Sequence, residues 1–183
     1  MYNSLQYGEL FARGHLVQAE TLSGSGPEGV FSTFTYTNVV PQFQSFPTWW
    51  NKIEGKVRAF AKLKCTYKGG TLYLLTGTSF TDVDGKPNVV RSIKDTETKI
   101  SVPNSVWTAG CCVFGTGEVA GFALIGDNTP QQKEKQIKLD ELQTILHVDA
   151  TARNKKSAGL KVDLFPGNQD CVNNEVSTVF LAK

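Results

Sequence analysis

The residues of this 183-residue chain whose types and spacing can do chemistry lie in its first third. They are Arg13-Gly14-His15, then Asn38 within Thr37-Asn38-Val39-Val40-Pro41-Gln42, then Asn51, Glu54 and Arg58. The chain has two histidines, His15 and His147. Histidine as a side-chain type titrates near neutrality and suits a general base. The planar guanidinium of arginine pairs with two phosphate oxygens at once. Asn and Glu oxygens hold a hard cation such as Mg2+, directly or through its waters. The chemistry that unites these groups is phosphodiester hydrolysis, which needs a base for water and positive charge on the phosphate and leaving group. Each residue also has a plainer role. Arg-Gly-His is compatible with a surface turn, and Asn38 with the satisfied end of a strand. Glu54 and Arg58 at i, i+4 form an ordinary helix-surface pair, and Asn51 can simply face solvent.

The elements that must hold these residues follow from hydrophobic period. Arg13 and His15 share a face if their segment is extended. Residues 31–37 alternate aromatic or β-branched with polar side chains and predict a strand, with Asn38 directly after it. Thr48, just after Pro47, is the expected N-cap of a helix over 48–64. Trp50, Ile53, Val57, Phe60 and Ala61 recur at helical spacing and face the core, with Asn51, Glu54 and Arg58 along one flank. The aromatics Phe43, Phe46, Trp49 and Trp50 suit a partner surface or base stacking, with core packing expected for Trp50. Residues 71–77 read as a buried strand. Residues 105–114 and 119–125 read as paired strands around Gly115-Thr116-Gly117. Residues 79–101 are polar, a long loop with short strands. A second helix is expected over 139–147, with Asp140 near its start, and a weaker third over 169–181. The mixture lacks a regular βαβ alternation, so the fold class is α+β.

Bulk properties constrain less. A chain of this length builds one domain with a sizeable core, and 40% hydrophobic and 20% charged residues are ordinary for a folded protein. Mean hydropathy is −0.22. No apolar run approaches the roughly 18 residues of a membrane helix, so no membrane partner is expected. The start, Met1-Tyr2-Asn3-Ser4-Leu5-Gln6, has neither the basic nor the apolar stretch of a signal peptide. A secreted protein of this sequence would derive from a longer precursor. The net charge of +2 neither announces nor excludes a nucleic-acid partner. Four cysteines, Cys65, Cys111, Cys112 and Cys171, fit no zinc spacing. Adjacent strand residues point to opposite faces, so Cys111 and Cys112 do not bond each other. Two bridges would then join one of them to Cys65 and the other to Cys171; four buried thiols are the alternative.

Taken in order, these motifs resemble the DNA/RNA non-specific endonucleases of the ββα-metal type, above all their endonuclease-domain-containing secreted branch. The family's Asp-Arg-Gly-His is similar to Ala12-Arg13-Gly14-His15. Its Ser/Thr-Asn-x-x-Pro-Gln resembles residues 37–42, and its Trp-x-x-Leu-Glu-x-x-x-Arg resembles residues 50–58. Leu72 to Thr78, Val102-Pro103, Val106 to Cys112, Leu139 to Leu142 and Leu164-Phe165-Pro166 resemble later landmarks. The resemblance implies a central antiparallel sheet flanked by helices and a metal-dependent nuclease acting on DNA and/or RNA outside the cell. It implies His15 as general base and Arg13 on the phosphate. Asn38 and Glu54 would act around one Mg2+, Glu54 through water, with Asn51 a further oxygen donor. Arg58 would touch substrate or leaving group. Three departures stand beside it. The signature aspartate is Ala12. The family's direct metal-ligand asparagine, a little over two helical turns before the glutamate, falls on Phe46-Pro47, which ligate nothing. Only 12 residues precede Arg13, so a single domain over 1–183 lacking the family's N-terminal strands is expected. The first two departures make a catalytically impaired binding or structural module the alternative function. Oligomeric state is left open.

Overall fold

The computed structural model describes residues 10–87, 91–94, 99–153 and 161–174. Among them, eight strands and four α-helices form three small antiparallel sheets and their covering layers. β1 (Phe11–His15) pairs with β2 (Val39–Phe43). Between them lie a 3-10 turn (Ala19–Ser25) and α1 (Gly26–Ser32). β2 runs straight into α2 (Phe46–Phe60). The main sheet has the order β3-β6-β7-β8, from β3 (Thr71–Ser79), β6 (Ser105–Val113), β7 (Val119–Asp127) and β8 (Glu134–Ile137). A separate ribbon pairs β4 (Arg91–Lys94) with β5 (Lys99–Val102). α3 (Leu139–Arg153) and the short α4 (Asp170–Asn173) complete the described chain. None of the described helices is long and apolar enough to cross a membrane.

The main sheet is buried on both faces because its central strands carry two apolar sets. Val106, Cys112, Phe122 and Leu124 pack under Phe46, Trp50, Ile53, Val57 and Phe60 of α2. Trp107, Ala109, Cys111, Ala123 and Ile125 pack against Leu139, Leu142 and Ile145 of α3. The period of two in the strands therefore meets the helical period in one layer on each side. The expected mixed fold, a sheet flanked by helices, is what forms. The β6–β7 hairpin turns where expected, with Gly117 at φ 86°, a left-handed conformation that favours glycine.

Opposite sides of β6 also settle the cysteines. Cys65 bonds Cys112 on the α2 face, and Cys111 bonds Cys171 on the α3 face. The first bridge ties the turn after α2 to the sheet; the second ties α4 to it. Gly70 must lack a side chain there, since a Cβ would lie 2.7 Å from Cys112 Sγ.

Several expectations are corrected. Residues 31–37 form no strand: α1 continues to Ser32, and Tyr36–Asn38 make a 3-10 turn. Pro27 in the first turn of α1 and local carbonyl bonds from Thr33 and Phe34 curl the chain, while β1 takes residues 39–43 as its partner. Asn38 consequently precedes a strand and does not follow one. α2 begins at Phe46, two residues before the expected cap, because Pro47 presets the first-turn backbone; a π-turn over Ala61–Cys65 continues it. β3 is an edge strand among the described residues, not a buried one, and Tyr73, Leu74 and Leu75 are exposed. Ala61 is only half-buried. α3 runs one and a half turns past His147, and the expected third helix keeps only Asp170–Asn173, with 175–181 outside the described residues. Within 79–101 the short strands β4 and β5 form, and residues 88–90 and 95–98 lie outside the described residues. Of the four aromatics near the helix, Phe46, Trp49 and Trp50 are core and Phe43 is partly buried against it.

Candidate active site

The β1–β2 ribbon leads into α2 through residues 44–45, with His15 opposite Val39 at the start of β2 and Glu54 eight residues past Phe46 in the helix. Leu16, the next residue after His15, packs against the core cluster that α2 forms with the main sheet. Arg58, one turn past Glu54, reaches Glu20 at 3.0 Å.

Arg13 and His15 share a face of β1, as the extended segment requires, and Arg13 is exposed. Gly14, between them, is buried because the Gln42 side chain crosses it; a Cβ at Gly14 would overlap that side chain. His15 touches the ring of Phe34 edge-on, centroids 5.2 Å apart at 82°. His15 Nε2 is buried and has no protein hydrogen-bond partner. The same is true of Gln42 Nε2, Glu54 Oε2 and Arg58 Nη1. With Trp49 Nε1 and Trp50 Nε1, also on α2, these make six unpartnered buried atoms from β1, β2 and α2, which departs from the ordinary condition of buried polar groups. Such orphans mark places where water, an ion or a ligand completes the bonding.

Glu54 carries the strongest electrostatic signal. It is 7% exposed, and burial raises its pKa from 4.5 to about 8; the Arg58 charge and the Trp50 side chain beside it oppose this, and Glu20 adds to it. A carboxyl so placed is desolvated, and a cation bound beside it would favour its ionised form. Arg58 Nη2 donates to Glu20 Oε2 and, at 3.4 Å, to Asn51 Oδ1, so the flank expected on α2 is assembled. Asn51 itself is exposed and engaged by Arg58.

Asn38 is occupied by the backbone. Its Oδ1 accepts from Val17 N–H at 2.9 Å, and its Nδ2 donates to the carbonyls of Val17 and Thr33. It clamps the segment after His15 to the turn after α1. Phe46, where the resemblance puts a metal-binding asparagine, has no exposed surface and stacks on Trp50 at 5.4 Å between centroids. Ala12 faces Gln42 across the ribbon.

Three contributors escaped the sequence reading. Glu20 neutralises Arg58, and nothing in its local context signals a partner 38 residues away. Gln42 was part of a motif yet had no chemical role assigned. Asn128, without exposed surface, accepts from Phe43 N–H and donates to the carbonyls of Pro41 and Pro103, which anchors β2 to the loop before β6. His147 does not join His15. It lines a separate cavity of about 350 Å³ with Asp140, Gln143, Thr144 and Lys161, beside the α3 face of the sheet. Its lining includes none of His15, Arg13, Glu54 and Arg58.

Comparison with known proteins bears on the whole arrangement. The family model described as DNA/RNA non-specific endonuclease matches residues 2–163. Endonuclease domain-containing 1 protein of Homo sapiens is 37% identical over 93 residues, 50% of this chain and 16% of that protein. The Mus musculus protein of the same name is 34% identical over 92 residues, again 50% of this chain and 16% of its own length. A chain of the crystal structure of the EndoG/EndoGI complex superposes with a TM-score of 0.61 at 19% identity, covering 79% of this chain and 60% of that one. At that identity the likeness speaks for the fold, which is the ββα-metal nuclease fold.

Proposed function

The chain belongs to the DNA/RNA non-specific endonuclease family, and from that premise we propose that it hydrolyses phosphodiester bonds of DNA and/or RNA with a divalent cation, Mg2+ by its oxygen chemistry. The observation that supports this reading is that His15 Nε2 on β1 and Glu54 Oε2 and Arg58 Nη1 on α2 are all buried without a hydrogen-bond partner. In this scheme His15 Nε2 takes the proton of the attacking water as the new oxygen–phosphorus bond forms and the bond from phosphorus to the leaving oxygen breaks, the leaving oxygen taking a proton from solvent. Arg13, exposed on the same face, pairs with the phosphate oxygens. Arg58 releases Glu20 and meets the charge that develops on phosphate or leaving group.

The donor set fits a cation in one respect. Glu54 offers a buried carboxylate oxygen with no other partner, and a hard cation bound there would supply Lewis-acid polarisation of the phosphate. Asn38 acts as the clamp that fixes His15, since its oxygen and both amide hydrogens already hold backbone. Asn51 orients Arg58. Water would supply the remaining ligands of such a cation.

Phe46 favours a second reading, a catalytically impaired nuclease fold retained for binding. Its buried ring supplies no oxygen where the resemblance puts the direct ligand. The two disulfides suit an oxidising, extracellular setting under either reading. Supercoiled plasmid and RNA are incubated with the protein, with and without Mg2+, beside His15→Ala. Cation-dependent cutting that drops by about 10²–10⁴-fold in the variant is the expected result. Absence of cutting by the intact protein at any divalent cation concentration overturns the first reading in favour of the second.

A further inference from the structure

Phe31, Phe34 and Tyr36 are exposed by 71%, 63% and 79%, three of the largest apolar exposures among the described residues, within six positions. Burial alone gives no reason for them. They occupy the end of α1 and the turn before β2, and that turn is not loose. Asn38 bonds Thr33 and Val17 together, and the N–H groups of Thr33 and Phe34 close on Val30 and Phe31. The turn is thereby fixed to the end of β1, where the edge of His15 meets the Phe34 ring. Exposed Ser32 and Thr35 lie between the rings along the chain, so the aromatics are interspersed with hydroxyls. Exposed rings among hydroxyls, beside exposed Arg13, suit a base with its flat face, polar edges and attached phosphate.

We propose that Phe34, with Phe31 and Tyr36, forms a stacking platform for unpaired nucleobases, and that it directs the site beside it to single-stranded nucleic acid. In a duplex both faces of a base are covered by its neighbours. An unstacked base offers its face to an aromatic ring whatever its identity. A base on Phe34 places its own phosphodiester next to His15, with exposed Arg13 on the same face to hold the phosphate. The inference rests on reading the site as a nuclease and narrows it to a substrate class.

Binding is measured by fluorescence anisotropy in EDTA, so that no cleavage intervenes, with a fluorescein-labelled 12-nucleotide oligothymidylate and a 12-base-pair duplex. Wild type is expected to prefer the single strand. Phe34→Ala weakens single-strand binding about tenfold, within the range found for loss of one stacked base, and changes duplex binding less than about twofold. Phe34→Leu, which keeps apolar bulk and loses the π face, behaves as Phe34→Ala, and Phe34→Trp retains binding. Equal losses on both polymers, or none, overturn the platform, as does a dimer in sedimentation that Phe34→Ala dissolves while nucleic-acid binding stays unchanged. The two readings separate cleanly. Cutting of single strand and duplex alike by both wild type and Phe34→Ala removes the platform and leaves the nuclease. A wild type that neither binds nor cuts any nucleic acid removes both.

Discussion

Glu54→Gln tests the electrostatics of the site most directly. Burial lifts the Glu54 pKa from 4.5 to about 8, so the folded protein holds a proton that the unfolded chain releases near pH 4.5. Below that pH both states are protonated and the group is neutral to stability. Between 4.5 and 8 the folded state binds more protons, so stability falls as pH rises, by up to about 1.4 kcal/mol per pH unit. Above 8 both states are ionised and the full cost is present, at most about 5 kcal/mol for this shift and about 2–4 kcal/mol once water reaches the carboxylate. Gln has nearly the same shape and no charge. The variant should therefore match wild type near pH 5 and exceed it by about 2–4 kcal/mol at pH 9. Urea unfolding in EDTA at pH 5, 7 and 9, with the m-value checked for constancy, gives the comparison. Arg58 opposes the shift and Glu20 supports it, so Glu20→Gln in the same background should shrink the difference. A Glu54→Gln variant no more stable than wild type at pH 9, or displaced equally at every pH, refutes the assignment of a buried, desolvated carboxyl. Adding Mg2+ supplies a complementary readout. A cation at Glu54 displaces its proton, so it should stabilise wild type more as pH rises from 6 to 8 and leave the Gln variant unmoved.

Three further outcomes follow from other contacts. Glu20→Gln frees Arg58 from an exposed ion pair of 3.0 Å and should cost less than about 1 kcal/mol in stability while lowering KM for oligonucleotide cleavage; an unchanged KM argues against Arg58 as a phosphate contact. Phe46→Ala should destabilise by about 3–5 kcal/mol in urea unfolding while the stabilisation by Mg2+ stays the same, because the ring serves the core and not the cation. Cys65→Ser with Cys112→Ser opens a loop of 47 residues and should cost about 4 kcal/mol on the chain-entropy account, read as a lower melting temperature than wild type under non-reducing conditions and little difference after reduction.

The sequence alone carried the parts that depend on local period. The β6–β7 hairpin, the apolar stripe of α2, and the opposite directions of Cys111 and Cys112 are consequences of backbone geometry within a few residues, and they formed as read. So did the shared face of Arg13 and His15 and the flank of Asn51, Glu54 and Arg58. What spacing could not decide is which faces become covered. Glu54 and Arg58 look like a solvent-facing pair until the tertiary fold buries the acid, which raises its pKa, and Glu20 claims the arginine. The pattern at 31–37 is a strand pattern, yet a strand needs a partner, and β1 had already taken residues 39–43, so the aromatics ended exposed in a turn. β3 is apolar enough for a core strand and lies at an edge because the described sheet ends there. Which cysteine meets Cys65, and that Asn38 clamps backbone, were likewise settled by elements distant in sequence. Side-chain direction is a local property of the chain; burial, pairing and charge state belong to whatever the rest of the chain brings against it.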